Sequence, residues 1–207
     1  MAADEQGNDL SAVPVPIGGI VAFAPYASAN VIADTMIGQT PLELPEAYDM
    51  LGLVKQDGAP QHQRESGDAL EFWQKGYVLP GDGTRSFVVN AAENNAAVLK
   101  LTEGKEPDAN GVIYVDSSLP EAKWLIFLAT KFKNGTEDRY NGAAQVTEIE
   151  IDQDTRGEVR GRSVTLTWQE DPLFKDPKTG LDKPFKMWHG TPASKNTPPP
   201  GGDQSGE

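Results

Sequence analysis

The chain has 207 residues, with 18 Lys and Arg against 31 Asp and Glu, two His, no Cys and a formal charge of −13. This length buries a real core in one domain plus extensions. The charge excludes a broadly basic nucleic-acid surface and disfavours an anionic membrane surface, while the absence of Cys excludes disulfides, thiolate nucleophiles and Cys-based zinc sites. The 16 Pro and 21 Gly favour a turn-rich β fold over a helical bundle.

Residues 1–12 read as a flexible N-terminal arm. The opening MAADEQGNDL is acidic and polar, the opposite of a secretory signal, so a soluble protein made in a cytoplasm is expected. A β domain follows over 13–171. Its first strand is predicted over Val15–Phe23, where Gly18-Gly19 marks a bulge or a close backbone approach. Val13–Pro25 is apolar but short and broken by prolines, so no membrane insertion is expected. Residues 25–47 contain Pro25, Pro41 and Pro45 without periodicity and read as a long loop, with at most a short strand at Asn30–Ile32. Loops of this kind often serve function or assembly.

Leu51-Gly52-Leu53-Val54 leads to a turn at Asp57-Gly58, and after a polar interval the chain returns as Asp68-Ala69-Leu70-Glu71-Phe72-Trp73. Gly52, Asp57 and Gly58 are structural turn residues. Residues 68–79 and 84–90 form a predicted hairpin across Pro80-Gly81-Asp82-Gly83. Asn90 is placed as an N-cap with Glu93 three residues on and Gly104 as the stop, giving one helix over about 91–102. Its Ala96, Val98, Leu99 and Leu101 suit it to covering one side of a sheet.

Gly111–Asp116 reads as a strand. Ala122–Phe132, continuously apolar from Trp124 to Ala129, reads as a strand buried on both faces. Asn134-Gly135 is a hairpin turn, and Asn141-Gly142 a second turn or a kink. Gln145–Asp152 alternates, with Thr147, Ile149 and Ile151 pointing one way and Val146, Glu148, Glu150 and Asp152 the other. Beyond Asp154–Gly157 the partner strand Arg160–Trp168 turns Val164, Leu166 and Trp168 inward. From Glu170 order is expected to decline. A C-terminal arm, 172–195, carries Phe185, Met187 and Trp188 and suits docking on a neighbour; 196–207 is Pro- and Gly-rich and reads as disordered.

Chemistry is sparse. Asp152, Asp154 and Gly157 imitate the start of an EF-hand, but Arg156 and Ser163 occupy ligand positions. Asn134-Gly135-Thr136 matches a glycosylation sequon and reads as a turn. His62 and His189 lie far apart and read as solvated loop residues. Phosphate loops, nucleophile elbows and Glu-x-x-His motifs are missing, so no catalytic residue, metal or cofactor is expected and the chain does not read as an enzyme. Trp73, Trp124 and Trp168 are placed in the core or at subunit contacts, and Trp188 as an exposed interface anchor. The candidate subunit-interface residues are therefore Trp73, Phe185, Met187 and Trp188.

The run Leu51-Gly52-x-Val54-x-x-Asp57-Gly58, the acidic and aromatic strand near Trp73, Arg85–Asn90 followed by Glu93–Leu101 and Gly104, and Thr165–Trp168 before Asp171-Pro172 together resemble the major tail tube proteins of long-tailed, non-contractile phages. The resemblance spans about 45–174. It implies a β-sandwich or partial barrel with one short flanking α-helix, long loops and terminal arms. It further implies a virion tail protein, assembled in the host cytoplasm, that stacks as hexameric rings into a hollow tube. Implied partners are copies of itself, a tape measure protein, and tail-tip and tail-terminator proteins, with DNA passing non-specifically. In such a ring one sheet face lines a channel, and an acidic lining repels phosphates so that DNA slides without sticking. Glu148, Glu150 and Asp152 are the candidate lumen-facing residues. Two alternatives stay open: a tube subunit of a contractile or secretion system, and a monomeric β-sandwich module binding carbohydrate or protein through an exposed Trp.

Overall fold

The computed structural model describes residues 4–194. The strands, in chain order, are β1 (Pro16–Pro25), β2 (Gln39–Thr40), β3 (Asp49–Met50), β4 (Gln61–Glu65), β5 (Leu70–Glu71), β6 (Val78–Leu79) and β7 (Thr84–Ala91). The helix α1 (Ala96–Glu103) follows, then β8 (Lys123–Phe132), β9 (Glu137–Ile151), β10 (Arg162–Trp168), β11 (Asp171–Lys175), β12 (Asp182–Lys183), β13 (Phe185–Gly190) and β14 (Ala193–Ser194). The fold is mainly β. One antiparallel sheet of eight strands runs β3-β1-β8-β9-β10-β7-β4, and β13 joins β9 beyond the end of β10.

β8 is the buried strand its sequence announces: Trp124 to Ala129 are all buried. Its even-numbered residues Trp124, Ile126 and Leu128 enter one core with Phe23, Phe87, Val164, Leu166 and Trp168. The odd-numbered Leu125, Phe127 and Ala129 enter a second core with Ile32, Ile37, Tyr48 and Phe174. The sheet is therefore covered on both faces at its β1–β8–β9 side. At its β10–β7–β4 side only the first core is covered.

The sheet curls around that first core without closing into a barrel. Three strand spacings separate β4 from β9, about 14 Å in a flat sheet, yet the His62 and Tyr140 rings stand 4.4 Å apart. The segment between β3 and β4 crosses from one sheet edge to the other. The Leu51 N–H donates to the Val21 carbonyl at 2.9 Å, and the Ala92 N–H donates to Leu53 at 2.8 Å. Gly52, at φ 89°, makes that crossing possible in a conformation other residues avoid.

α1 caps the first core by burying Val98 and Leu101, each burial stabilising by about 2 kcal/mol. Its N-cap is Asn95, which accepts from the Val98 N–H at 2.9 Å, and not Asn90. Asn90 belongs to β7, paired with Ser163. Glu93 instead accepts from the Leu53 N–H at 2.7 Å and from Asn95. Gly104 ends the helix in the left-handed conformation, as its sequence position predicts.

Four further expectations are corrected. The partner of β7 is the polar segment β4, while β5 and β6 form a separate two-stranded ribbon. Alternation hides β4 because every one of its residues is exposed. Gly111–Asp116 is not a strand; its Val112, Tyr114 and Val115 face solvent, leaving no packing to hold them extended. Asn141-Gly142 is no turn, since β9 runs through it, and Gly142 leaves room for Phe185 of β13 and for Pro184 just before it. The segment from 172 does not lose order up to residue 194: β13 is a member of the main sheet, with Phe185 packed 4.9 Å from Trp168. Residues 4–12 are almost all exposed and hold one 3₁₀ turn, Leu10–Ala12. The expected 196–207 tail lies outside the described residues.

Asn141, fully buried on β9, fastens the long 25–47 segment to the sheet. Its Oδ1 accepts from the Ile32 N–H at 3.1 Å, and its Nδ2 donates to the Tyr48 hydroxyl at 2.9 Å and the Ile126 carbonyl at 3.0 Å. Tyr48 donates onward to the Asn30 carbonyl. Asn141→Leu leaves these groups unpaired and is expected to cost about 3 kcal/mol, with Tyr48→Phe costing about 1 kcal/mol. Urea unfolding followed by tryptophan fluorescence measures both.

Candidate functional site

One exposed apolar ribbon distinguishes the surface of the described residues. Every residue from 68 to 80 is exposed, so the β5–β6 ribbon stands off the body. It carries Leu70, Phe72, Trp73, Tyr77, Val78 and Leu79, all large, apolar and at least half exposed, with Trp73 at 96%. These residues are clustered, unlike the scattered single apolar residues that are normal on a protein surface. The ribbon is rooted where the backbone at Gly67 and the backbone at Gly81 approach each other so closely that a Cβ on either has no room.

The other interface candidates fall differently. Met187 is 52% exposed. Trp188, expected as an exposed anchor, is half-buried in this chain's own second core. The Arg139 guanidinium lies over its ring at 5.3 Å, and Gly38 abuts the indole so that a Cβ there would come within 2.6 Å. Phe185 is half-buried against the first core. Trp124 and Trp168 are core residues.

The open face of the β9–β10–β7–β4 region is polar. Glu148 stands opposite Thr165 and Glu150 opposite Ser163; the row continues through Val88 and Asn90 to Gln61. The simple alternation expected from the sequence fails at one point. Thr165 pairs with Glu148 but Leu166 pairs with Val146, so Thr147 is an extra residue in a β-bulge. Val146 thus turns into the core, and Ile149 packs against it, while Glu148 and Glu150 face outward.

The three acids are not equivalent. Glu148 accepts only a 3.3 Å bond from the Thr165 hydroxyl, and neither Glu148 nor Glu150 has an ion-pair partner among the described residues. Asp152 lies past the end of β9, bonded to the Lys55 ammonium at 2.7 Å and the Gly161 N–H at 3.0 Å. The Lys55 bond first, then the Gly161 bond, hold its carboxyl below the usual range against a desolvation that raises it.

Both histidines sit in strands. His62, on β4, has its ring packed against Tyr140 although the residue as a whole is exposed; desolvation of the ring lowers its pKa, Asp138 opposes this and Arg85 adds to it. His189 meets the Asp138 carboxylate at 2.5 Å. Gly135 and Gly157 take positive φ in their turns. Asp154 pairs with Arg160, and no cluster of three or more His, Asp or Glu among the described residues is arranged to hold a metal. No described helix is long and apolar enough to cross a membrane.

The class is thus a mainly β protein built on one curled antiparallel sheet with a single helix. No family model matches the chain, and no curated protein matches it. Among solved structures it is similar to the SPP1 tail tube, determined by solid-state NMR and cryo-EM, with a TM-score of 0.39 and 14% identity over 72% of each chain.

Glu148→Gln and Glu150→Gln are expected to leave stability within about 0.5 kcal/mol of the parent, because both side chains are solvated. Asp152→Asn behaves otherwise. A lowered native pKa contributes stability above the ordinary Asp range, and the contribution fades as pH falls through that native value. Thermal melts of D152N and parent should differ at pH 7 and converge in strong acid.

Proposed function

We propose that this chain is the structural subunit of a phage tail tube, with no catalytic role. The observation that carries the reading is the β5–β6 ribbon: six large apolar side chains held away from the body have no use in a monomer and cover naturally on association. The sheet supports it. Among the described residues, β4 presents an outer edge without a partner strand, and at the other side β1 is paired by β3 only at Ala22 and Phe23. Such edges join by strand addition between copies. The sequence resemblance to tail tube proteins supplies the form of assembly: hexameric rings, stacked, located in the virion tail. It also supplies the partners, a tape measure protein inside and tip and terminator proteins at the ends.

In this reading the ribbon and Met187 contact neighbouring copies. The polar face with Glu148 and Glu150 lines the lumen, its negative charge keeping passing DNA from adhering.

Negative-stain electron microscopy of the concentrated chain tests the assembly: hollow tubes are expected, and persistent monomers sink the reading. Trp73→Ser should abolish tubes while leaving the melting temperature of the monomer unchanged, because Trp73 is 96% exposed. Glu148→Lys with Glu150→Lys should form tubes but slow DNA ejection; normal infectivity from virions carrying them removes these two residues from the lumen.

A further inference from the structure

At the rim of the first core, where β4, β7 and the end of β10 meet β12, lies an open cleft of about 320 Å³ bordered by Arg64, Arg85, Lys183, Trp168, Glu170 and Pro184. Three cations face one carboxylate there, in a chain whose net charge is −13. Arg64 and Arg85 are direct cross-strand partners, an arrangement of like charges that destabilises a sheet. Neither has a carboxylate within ion-pair distance among the described residues; Arg85 only lies over the Phe185 ring at 5.5 Å. The cleft wall also includes Trp168, 5% exposed, whose buried indole N–H finds no acceptor among the described residues.

We propose that this cleft is an anion site that receives a carboxylate side chain from a second copy of the chain. Guanidinium pairs match carboxylates in bidentate geometry. The alternation of β4 supplies the complementarity. Arg64 and His62 lie on the core side with Arg85 and Phe87, whereas Gln61, Gln63 and Glu65 share the open face with the row that holds Glu148 and Glu150. One region of sheet is therefore basic at its inner rim and acidic on its open face, and a second copy offers unpaired carboxylates in abundance. The inference rests on the self-assembly reading but not on the tube itself.

Sedimentation velocity of the full chain, alone and as Arg64→Gln with Arg85→Gln, tests it between about 0.05 and 0.5 M salt, where screening of exposed charges changes strongly. The double variant should associate at least about tenfold more weakly at low salt and lose the salt dependence of the parent. Its monomer should melt no lower than the parent, because a repulsive pair has been removed. Lys183→Gln, outside the main sheet, should shift association in the same direction and guards against a variant that misfolds. Equal association of parent and variants overturns the inference and leaves the tube reading intact. Parent chains that form only small oligomers, lost in the variants, uphold the inference and sink the tube. If the variants associate normally but lose low-salt binding to a single-stranded oligonucleotide, the site takes phosphate and the inference fails.

Discussion

The backbone of β9 must be hydrogen-bonded along fifteen residues, and most of the fold follows from how that requirement is met. On one side β8 pairs with it from Glu137 to Gln145. On the other, β13 pairs with the first part and β10 with the second. A strand buried over its middle cannot leave N–H or C=O groups unpaired without a cost of about 1–3 kcal/mol each. The C-terminal segment is thus drawn back into the sheet and does not trail away. The side chains along β9 extend the same logic. Arg139 donates to the carbonyls of Ile37 and Gln39, and Asn141 holds Ile32 and Tyr48. Two buried polar residues therefore fix a loop that has almost no secondary structure of its own.

Coverage of the sheet is unequal as a result, and the inequality organises the surfaces. Where the 25–47 loop is fastened, both faces are apolar. Where it does not reach, one face is left to Ser, Thr, Glu and Gln. Charge follows the same division. Paired ions such as Lys55–Asp152 and Arg162–Glu103, the latter at 2.5 Å, tie elements together inside the chain. Glu148 and Glu150 on the open face, and Arg64 and Arg85 at the cleft rim, have no ion-pair partner among the described residues. A separation of this kind contributes little to a monomer's stability and suits contacts between molecules.

Much of the architecture was legible from periodicity. The buried β8, the Asn134-Gly135 hairpin, β10 and the glycine stop of α1 all follow from local patterns that packing reinforces. The errors have physical causes. β4 carries no apolar residue for periodicity to detect and owes its strand state to the β7 ladder. The capping-box spacing at Asn90 and Glu93 was real but occupied by a strand end, with Asn95 taking the cap because only there does the chain turn onto the core. Trp188 was expected at the surface because its neighbours are polar; no local signal reveals Gly38, 150 residues upstream in sequence, as the floor beneath its ring. Among the candidate surfaces, the outward direction of Glu148 and Glu150 follows from alternation, whereas Trp73, read as a core or subunit-contact residue, is 96% exposed in the chain alone. The Arg64–Arg85 pairing was not legible, since it depends on a register between distant segments.

The bulge at Thr147 works as a parity device. A strand has a side-chain period of two, so one additional residue exchanges the roles of odd and even positions beyond it. Before the bulge, even-numbered residues of β9 such as Ala144 and Val146 belong to the core; after it, Ile149 does, and the even-numbered glutamates are released outward. The acidic character of the open face is therefore encoded less by the glutamates themselves than by the count of residues that precedes them. Lineages of this fold would then tolerate substitutions along the face far more readily than a gain or loss of a single residue within it.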